Sequence, residues 1–507
     1  MLKGLFSLRG RYRILHLTWF AFFLTFVAWF NFAPFATTIA HELHLSPVQL
    51  KTIAICNLAL TIPARILIGM VLDRFGPRRT FSGLLLFALL PCLTTALSHS
   101  FDQLVWSRLL MGIVGAGFVV GIRMVSEWFP SKEIGIAEGI YGGWGNFGAA
   151  AAEFVLPMVA VGTVFLSGGG SNWRLAIALV GVLCALYGLV YWRLAQDTPP
   201  GVVYQRPKRN GAIEVTSVPS FYAMIAFNFG LLAAVGLLAW RLTQPGIAFL
   251  TTGQMGVVWL ILAGLYGLQT YKAYQVNQEL LQGQKTYPAT ERFQYRQIGL
   301  LNFAYVVSFG SELAVVSMLP AFFEHTFQLN HVTASMIAAC YPFLNLFSRP
   351  SGGLISDCAE RSAKGNRLSS RKWTLVVMTI GIGFSYLFAS SIDSQWSLGL
   401  AIAITVLAAY FAQAGCGATF AIVPLIKREI TGQISGSVGA YGNFGGLIYL
   451  TIFSLSSAKV LFESMGIAAL VCAGLCAFYL REPAIAYSEE NTDKRTATKK
   501  ELSQSQP

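Results

Sequence analysis

The sequence predicts an all-α membrane protein of about fourteen transmembrane helices: two pseudo-symmetric six-helix halves with an extra hydrophobic hairpin between them. Three observations carry this expectation. Of 507 residues, 55% are hydrophobic and only 12% charged, about half the charge of a soluble domain. Apolar runs of about 20 residues, the length that crosses a bilayer as a helix, recur along the chain. Polar residues with chemistry to do recur in the same order in both halves. The composition excludes an ordinary soluble enzyme, a disordered chain and a collagen-like one. Long continuous runs, rather than short alternating ones, exclude a membrane β-barrel.

The elements follow in order. Six apolar segments (14–37, 51–72, 81–98, 104–126, 137–167 and 174–196) make a first half within residues 1–200. Two more, 221–240 and 246–270, lie in a central linker, 201–296, and read as a crossing hairpin that returns the chain to its starting side. Another six (297–323, 332–354, 373–390, 397–425, 434–458 and 461–481) make a second half within 297–482, and residues 483–507 form a polar tail. Helices are the natural assignment, because a helix satisfies its own backbone where no water is available. The start, MLKGLFSLRGRYR, has no small-residue cleavage site and reads as a cytoplasmic end before a retained helix. The eight Cys lie in or beside apolar stretches without paired spacing and read as small hydrophobes.

A net charge of +13 would fit nucleic acid, but the charges sit in short loops. Twenty-seven of the 36 Lys and Arg fall on one side of the predicted bundle, among them Arg9, Arg11, Arg74, Arg78, Arg79, Lys132, Arg361, Arg371 and Lys427. The positive-inside rule makes that side cytoplasmic, termini included. Seven more, including Arg108 and Arg123, lie near segment ends, where they are expected to snorkel to the interface. Two remain at mid-depth, Arg65 and Arg349.

The halves match around these two. Arg65 precedes Gly69 by four residues and Asp73 by eight, and Arg349 precedes Gly353 and Asp357 by the same steps. GGWGNFG (142–148) answers GAYGNFG (439–445), and Gly115 and Gly117 answer Gly415 and Gly417. Order-preserving similarity of this kind indicates a duplicated half, with substrate held near the midplane between the copies.

An arginine at bilayer depth costs from about 2.5 to more than 10 kcal/mol, so it faces a cavity or a partner. Two arginines at equivalent positions meet between the halves, where an anion supplies the compensating charge. The planar guanidinium fork suits a small planar oxyanion. The competing reading is an internal salt bridge to a glutamate of another helix. The Gly-rich runs read as close helix packing. Asn146 and Asn443 within them read either as interhelical contacts or as donors into the cavity. Among the few intramembrane acids, Glu312 and Glu153 are candidates to carry a proton, against a role as counter-charge or anchor. The turn GMVLDRFGPRR, with Gly69, Asp73, Arg74 and Arg78, and its counterpart Asp357, read as gating contacts.

The turn Gly69-x3-Asp73-Arg74-x-Gly76-x-Arg78-Arg79 resembles the signature of the major facilitator superfamily, and SRLLMG (107–112) resembles its fourth-helix motif. The paired Gly-Asn-Phe-Gly runs at 145–148 and 442–445 resemble the two signatures of its nitrate/nitrite porter family. The resemblance implies the major facilitator fold. It further implies that Arg65 and Arg349 clamp the anion with Asn146 and Asn443 beside it, and that Tyr305, Phe309 and Phe118 wall it in. Glu312 follows the pattern of proton-symporting members. The chain departs from the family in its added hairpin and in SKEIGIAEG, which stands where an Arg-Gly pair is usual.

The expectation is therefore a monomeric secondary transporter of nitrate and nitrite in the cytoplasmic membrane, working by alternating access and coupled to protons for nitrogen assimilation. Nitrate/nitrite exchange, a porter for organic or phosphorylated anions, and a transporter-like nitrate sensor are the alternatives. No cofactor, metal cluster, nucleic-acid site or nucleophile–base set is expected, and so no enzyme.

Overall fold

The computed structural model describes residues 5–163, 172–206, 212–287, 294–329, 331–362, 367–427 and 430–481. The tail 483–507 and the linker cations Lys208, Arg209, Arg292, Lys364 and Arg428 lie outside the described residues. The first half comprises α1 (Gly10–Phe30), α2 (Pro47–Phe75), α3 (Pro77–Ala96), α4 (Phe101–Trp128), α5 (Ile134–Gly162) and α6 (Trp173–Leu194). The hairpin is α7 (Val218–Arg241) and α8 (Thr252–Leu281). In the second half, α9 runs through Tyr295–Tyr305, Val306–Gly310 and Ser311–Phe327. Next, α10 runs through His331–Ala338, Cys340–Phe343 and Asn345–Ser362. It is followed by α11 (Arg367–Ala389), α12 (Leu398–Phe420), α13 (Thr431–Leu455) and α14 (Ala458–Tyr479). Among the described residues, eleven helices are long and apolar enough to cross a membrane. Exposed Leu86, Leu183, Phe384 and Val471 on the outer surface suit a lipid solvent.

Local chemistry sets the ends. Ser46 and Gln49 form a capping box that starts α2. Gly76, at φ +88°, ends it in a conformation that favours glycine, and Asp197 fills the space where a Cβ would stand. Asp197 Oδ1 accepts from the Arg78 amide at 2.7 Å, so the α2–α3 turn is pinned to the chain after α6. Burial there raises the Asp197 carboxyl above its usual range, against the pull of that amide.

The hairpin is antiparallel. Trp259 Nε1 of α8 donates to Gly236 O of α7 at 3.0 Å, and Tyr266 to Ile225 O at 3.2 Å. Helix α7 lies over the seam between the halves. Its Leu231 and Ala234 share one apolar cluster with Ile62 of α2 and Ala440 of α13.

The halves meet along two such seams, α2 on α13 and α5 on α10, and glycine makes both possible. A Cβ on Gly436 would stand 2.6 Å from Arg65 O, and one on Gly139 would stand 2.7 Å from Arg349 O. One on Gly353 would collide with Gly135 O, and one on Gly69 with Gly432 O. The Gly-rich runs are thus places of backbone-to-backbone contact.

One expectation is corrected. Arg108 and Arg123 do not snorkel: both are fully buried, as are Arg65, Arg349 and Arg371. Position along a segment does not say which way a side chain turns, and these turn toward partners inside the bundle.

Gly353→Ala should destabilise the protein by about 1–3 kcal/mol through overpacking. Gly399→Ala, where no atom lies within 4 Å, should leave the unfolding temperature in detergent unchanged.

Candidate functional site

Arg65 stands on α2, ten residues before its end, and Arg349 on α10, where Pro350 interrupts the backbone ladder. The two come from opposite halves to one aromatic ring: Arg65 Cζ is 5.4 Å and Arg349 Cζ 5.2 Å from the Phe309 centroid. Arg65 also lies 5.4 Å from Phe118. Phe118, Tyr305 and Phe309 stack in a row, with 6.1 Å and an 11° tilt between the first two, then 5.1 Å and 16°. Tyr305 immediately precedes a π-helical turn of α9 at Val306–Gly310, and Phe309, four residues on, lies within it. Such turns are frequent at functional sites. Here the turn packs on Gly445 and Gly446 of α13, leaving no room for a Cβ on Gly310. Phe420 closes the row edge-on, 4.7 Å from Phe118 and 5.0 Å from Tyr305.

The arginines differ in their partners. Arg65 Nη1 donates to Gly439 O of the opposite half at 2.6 Å, and its Nε to Gly115 O at 3.4 Å. Arg349 carries a carboxylate: its Nη2 donates to Glu312 Oε2 at 2.9 Å. Asn345 ties the pair together, accepting from Arg349 Nε at 2.8 Å and donating to Glu312 Oε1 at 2.7 Å. The idea that neither guanidinium has a permanent counter-ion is therefore corrected for Arg349. Helices α9 and α10 bring a glutamate against it, which is the salt bridge that the sequence left open as the competing reading.

Asn146 and Asn443 donate to their own helices, to Gly142 O at 2.8 Å and Gly439 O at 3.5 Å. These acceptors abut the site, since Gly142 faces Arg349 and Gly439 faces Arg65. A cavity of about 350 Å³ reaches this cluster. Phe309, Glu312, Asn345 and Asn146 form its inner end, and it extends to Phe32, Ala33 and Leu50, where α1 ends and α2 begins. Glu153 lines the same cavity but is exposed and has no ion pair among the described residues.

The opposite end, where α1 begins and α2 ends, is closed by two related contacts. Asp73 accepts from the Gly432 and Gln433 amides at 3.0 Å each, at the start of α13. Asp357 accepts from the Gly135 and Ile136 amides at 3.1 and 2.8 Å, at the start of α5. Each carboxylate of one half thus caps a helix N-terminus of the other, where orphan amides and the helix dipole favour negative charge. Gly69 permits the first approach. Arg74 and Arg78 do not cross to the other half: their guanidiniums lie over Phe75 and Trp192, at 5.3 and 5.1 Å. The cross-links are made instead by Arg371, which bridges Asp357 at 2.8 Å and Ser131 O at 2.6 Å, and by Arg361, which donates to Lys132 O at 2.9 Å. The SKEIG loop is therefore engaged through its backbone.

Sequence reasoning missed Asn345, Phe420, Arg108, Arg371 and Glu138. Asn345 had a signal: it lies one helical turn before Arg349. Glu138 is buried in α5, with neither carboxylate oxygen hydrogen-bonded. Among the described residues, no group of His, Cys, Asp or Glu is placed to hold a metal ion.

Two pseudo-equivalent helical halves, an arginine from each at mid-depth and a cavity closed at one end define a membrane porter of the alternating-access class. Residues 18–274 match the model of the Major Facilitator Superfamily. The chain is 66% identical to the nitrate/nitrite transporter NrtP of Nostoc punctiforme over 98% of each. It is 49% identical to NrtP of Picosynechococcus sp., again over 98% of each. It is 28% identical to high-affinity nitrate transporter 2.3 of Oryza sativa, over 86% of this chain and 71% of that one. Among solved structures, the human organic anion transporter MFSD10 superposes with a TM-score of 0.58 at 12% identity, covering 92% of this chain and 100% of that one; at that identity the likeness shows the fold. The chain belongs to the major facilitator superfamily and, within it, to the nitrate/nitrite porter family.

Asp73→Asn should weaken closure at this end by about 1.5–3 kcal/mol, the worth of hydrogen bonds to a charged group. Spin labels on Phe75→Cys and Ser362→Cys, with Cys340 and Cys358 replaced by Ser, should then show a longer interspin distance becoming populated.

Proposed function

We propose that this protein carries nitrate, and nitrite, across the cytoplasmic membrane by alternating access, coupled to protons. The observation that supports it most is the convergence of Arg65 and Arg349, from opposite halves, on the Phe309 ring at the inner end of one cavity. A flat anion among the stacked rings meets a guanidinium from each half and draws the halves together. Aromatic walls exclude water, which strengthens the ionic contacts.

The basic end carries Arg11, Arg74, Arg79 and Lys132 and is cytoplasmic by the positive-inside rule. The state described here is accordingly open outward, with Asp73 and Asp357 holding the inner gate. Inward opening must break both caps, and closure around the anion from outside supplies the driving force.

The Arg349–Glu312 pair gives coupling a physical form. With Glu312 ionised, Arg349 is neutralised from within the protein. A proton on Glu312 frees the guanidinium for nitrate, so anion and proton travel together. Asn345 keeps the fork oriented in both conditions. Uptake of an anion against an inside-negative potential costs about 2.3 kcal/mol per 100 mV, so more than one proton per nitrate is needed, and Glu153 on the cavity wall is the second candidate. Nitrate/nitrite exchange is the rival reading; it leaves Glu312 ionised throughout.

Tracer nitrate uptake into proteoliposomes under an imposed pH gradient decides between them. Glu312→Gln should abolish acid-driven accumulation while nitrate counterflow persists; undiminished acid-driven accumulation would remove Glu312 from coupling. Arg65→Lys and Arg349→Lys keep the charge but lose the planar fork. Each should lower apparent nitrate affinity roughly 10- to 100-fold, by the 1.5–3 kcal/mol of a charged hydrogen bond, and unchanged uptake kinetics in both would dismiss the clamp.

A further inference from the structure

A third buried arginine lines the cavity and has no part in the clamp. Arg108 is fully buried in α4. Its Nη1 donates to Oδ1 of Asn31, which caps the end of α1, at 3.1 Å and its Nη2 to Thr95 Oγ1 of α3 at 2.9 Å. Its Nε has no hydrogen-bond partner, and Phe32 lies 5.7 Å from its Cζ. These partners are neutral, and none of the ion pairs among the described residues includes Arg108. Asn and Thr oxygens fix the fork and leave its charge in place.

Depth along α4 fixes its relation to the central site. Gly115, whose carbonyl accepts from Arg65, lies seven residues further along. At 1.5 Å per residue, Arg108 is about 10 Å nearer the outer face. The same cavity touches both levels, and its 350 Å³ equals roughly twelve water molecules at about 30 Å³ each. There is room for an anion at the outer level and another below it.

We propose that Arg108 forms an outer anion subsite, which holds a small, weakly hydrated monovalent anion on its way from the outer face to Arg65 and Arg349. The identity of the cargo rests on the nitrate reading above; the subsite itself does not. Its position makes it asymmetric. It serves anions arriving from outside and plays no part in binding from the cytoplasmic side.

The test is the half-saturation for nitrate measured separately at each face of oriented proteoliposomes. Arg108→Gln should raise the outer value about tenfold and leave the inner value within about twofold. Arg108→Lys, which keeps the charge, should raise the outer value less. Equal shifts at both faces, no shift, or equal effects of Gln and Lys would overturn the proposal. A second measurement stands free of nitrate transport: calorimetric iodide binding to purified protein that elutes as a single folded species. Saturable binding should persist in Arg65→Gln and vanish in Arg65→Gln/Arg108→Gln. Its absence from Arg65→Gln, or its persistence in the double variant, would overturn the subsite. A wild-type protein that moves no nitrate would sink the transport reading and leave the iodide result to decide this one.

Discussion

Guanidinium charge held in a bundle without bulk water is the constraint on which the rest of this structure depends. Five fully buried arginines stand among the described residues, and each must be answered by something. Arg371 is answered by Asp357 and Glu360, and Arg123 by Glu127 at 2.8 Å; these are pairs near the closed end of the bundle. Arg349 is answered by Glu312 at 2.9 Å, at the inner end of the cavity. Arg65 reaches carbonyls and aromatic rings, and Arg108 reaches an amide and a hydroxyl. Paired charge thus collects at the gate, while Arg108 lines the cavity and Arg65 and Arg349 meet over the Phe309 ring at its inner end.

The Asp73 and Asp357 contacts and the proposed clamp are built on the same helices, which gives binding a physical route to the far end. Arg65 and Asp73 share α2, and Arg349 and Asp357 share α10. Each helix lies so close to α13 or α5 that only glycine fits between, and each carboxylate caps the helix its own arginine crosses. A pull on an arginine is therefore a pull on a rigid rod whose other end holds the gate. Close-packed seams of this kind shift between discrete arrangements instead of deforming gradually. The added hairpin lies over the α2–α13 seam through α7, so it must follow or brace that motion.

Much of the fold was legible in the sequence because a membrane imposes a length on every helix and a sign on every loop. The duplication was legible in the equal spacing of Arg65–Asp73 and Arg349–Asp357, and the structure gives that spacing its meaning in the matched caps. The aromatic row was reached only through family likeness; a Phe or Tyr in an apolar segment says nothing of its face. The partners of the arginines were hidden for a related reason. Glu312 meets Arg349 across two helices whose rotation the sequence does not encode locally, and Arg108 and Arg123, near segment ends, turn inward instead of to the interface. Asn345 was readable one turn before Arg349, but an asparagine in such a place has many uses.

The central claim is that one anion is held by both arginines at once, so their contributions cannot be independent. Nitrate affinity measured by calorimetry across the cycle of wild type, Arg65→Gln, Arg349→Gln and the double variant tests this directly. The account predicts strong non-additivity, with the second removal costing far less than the first, because the shared guest has already been lost. Losses that simply add would mean that the two side chains serve separate guests or none, and would contradict it.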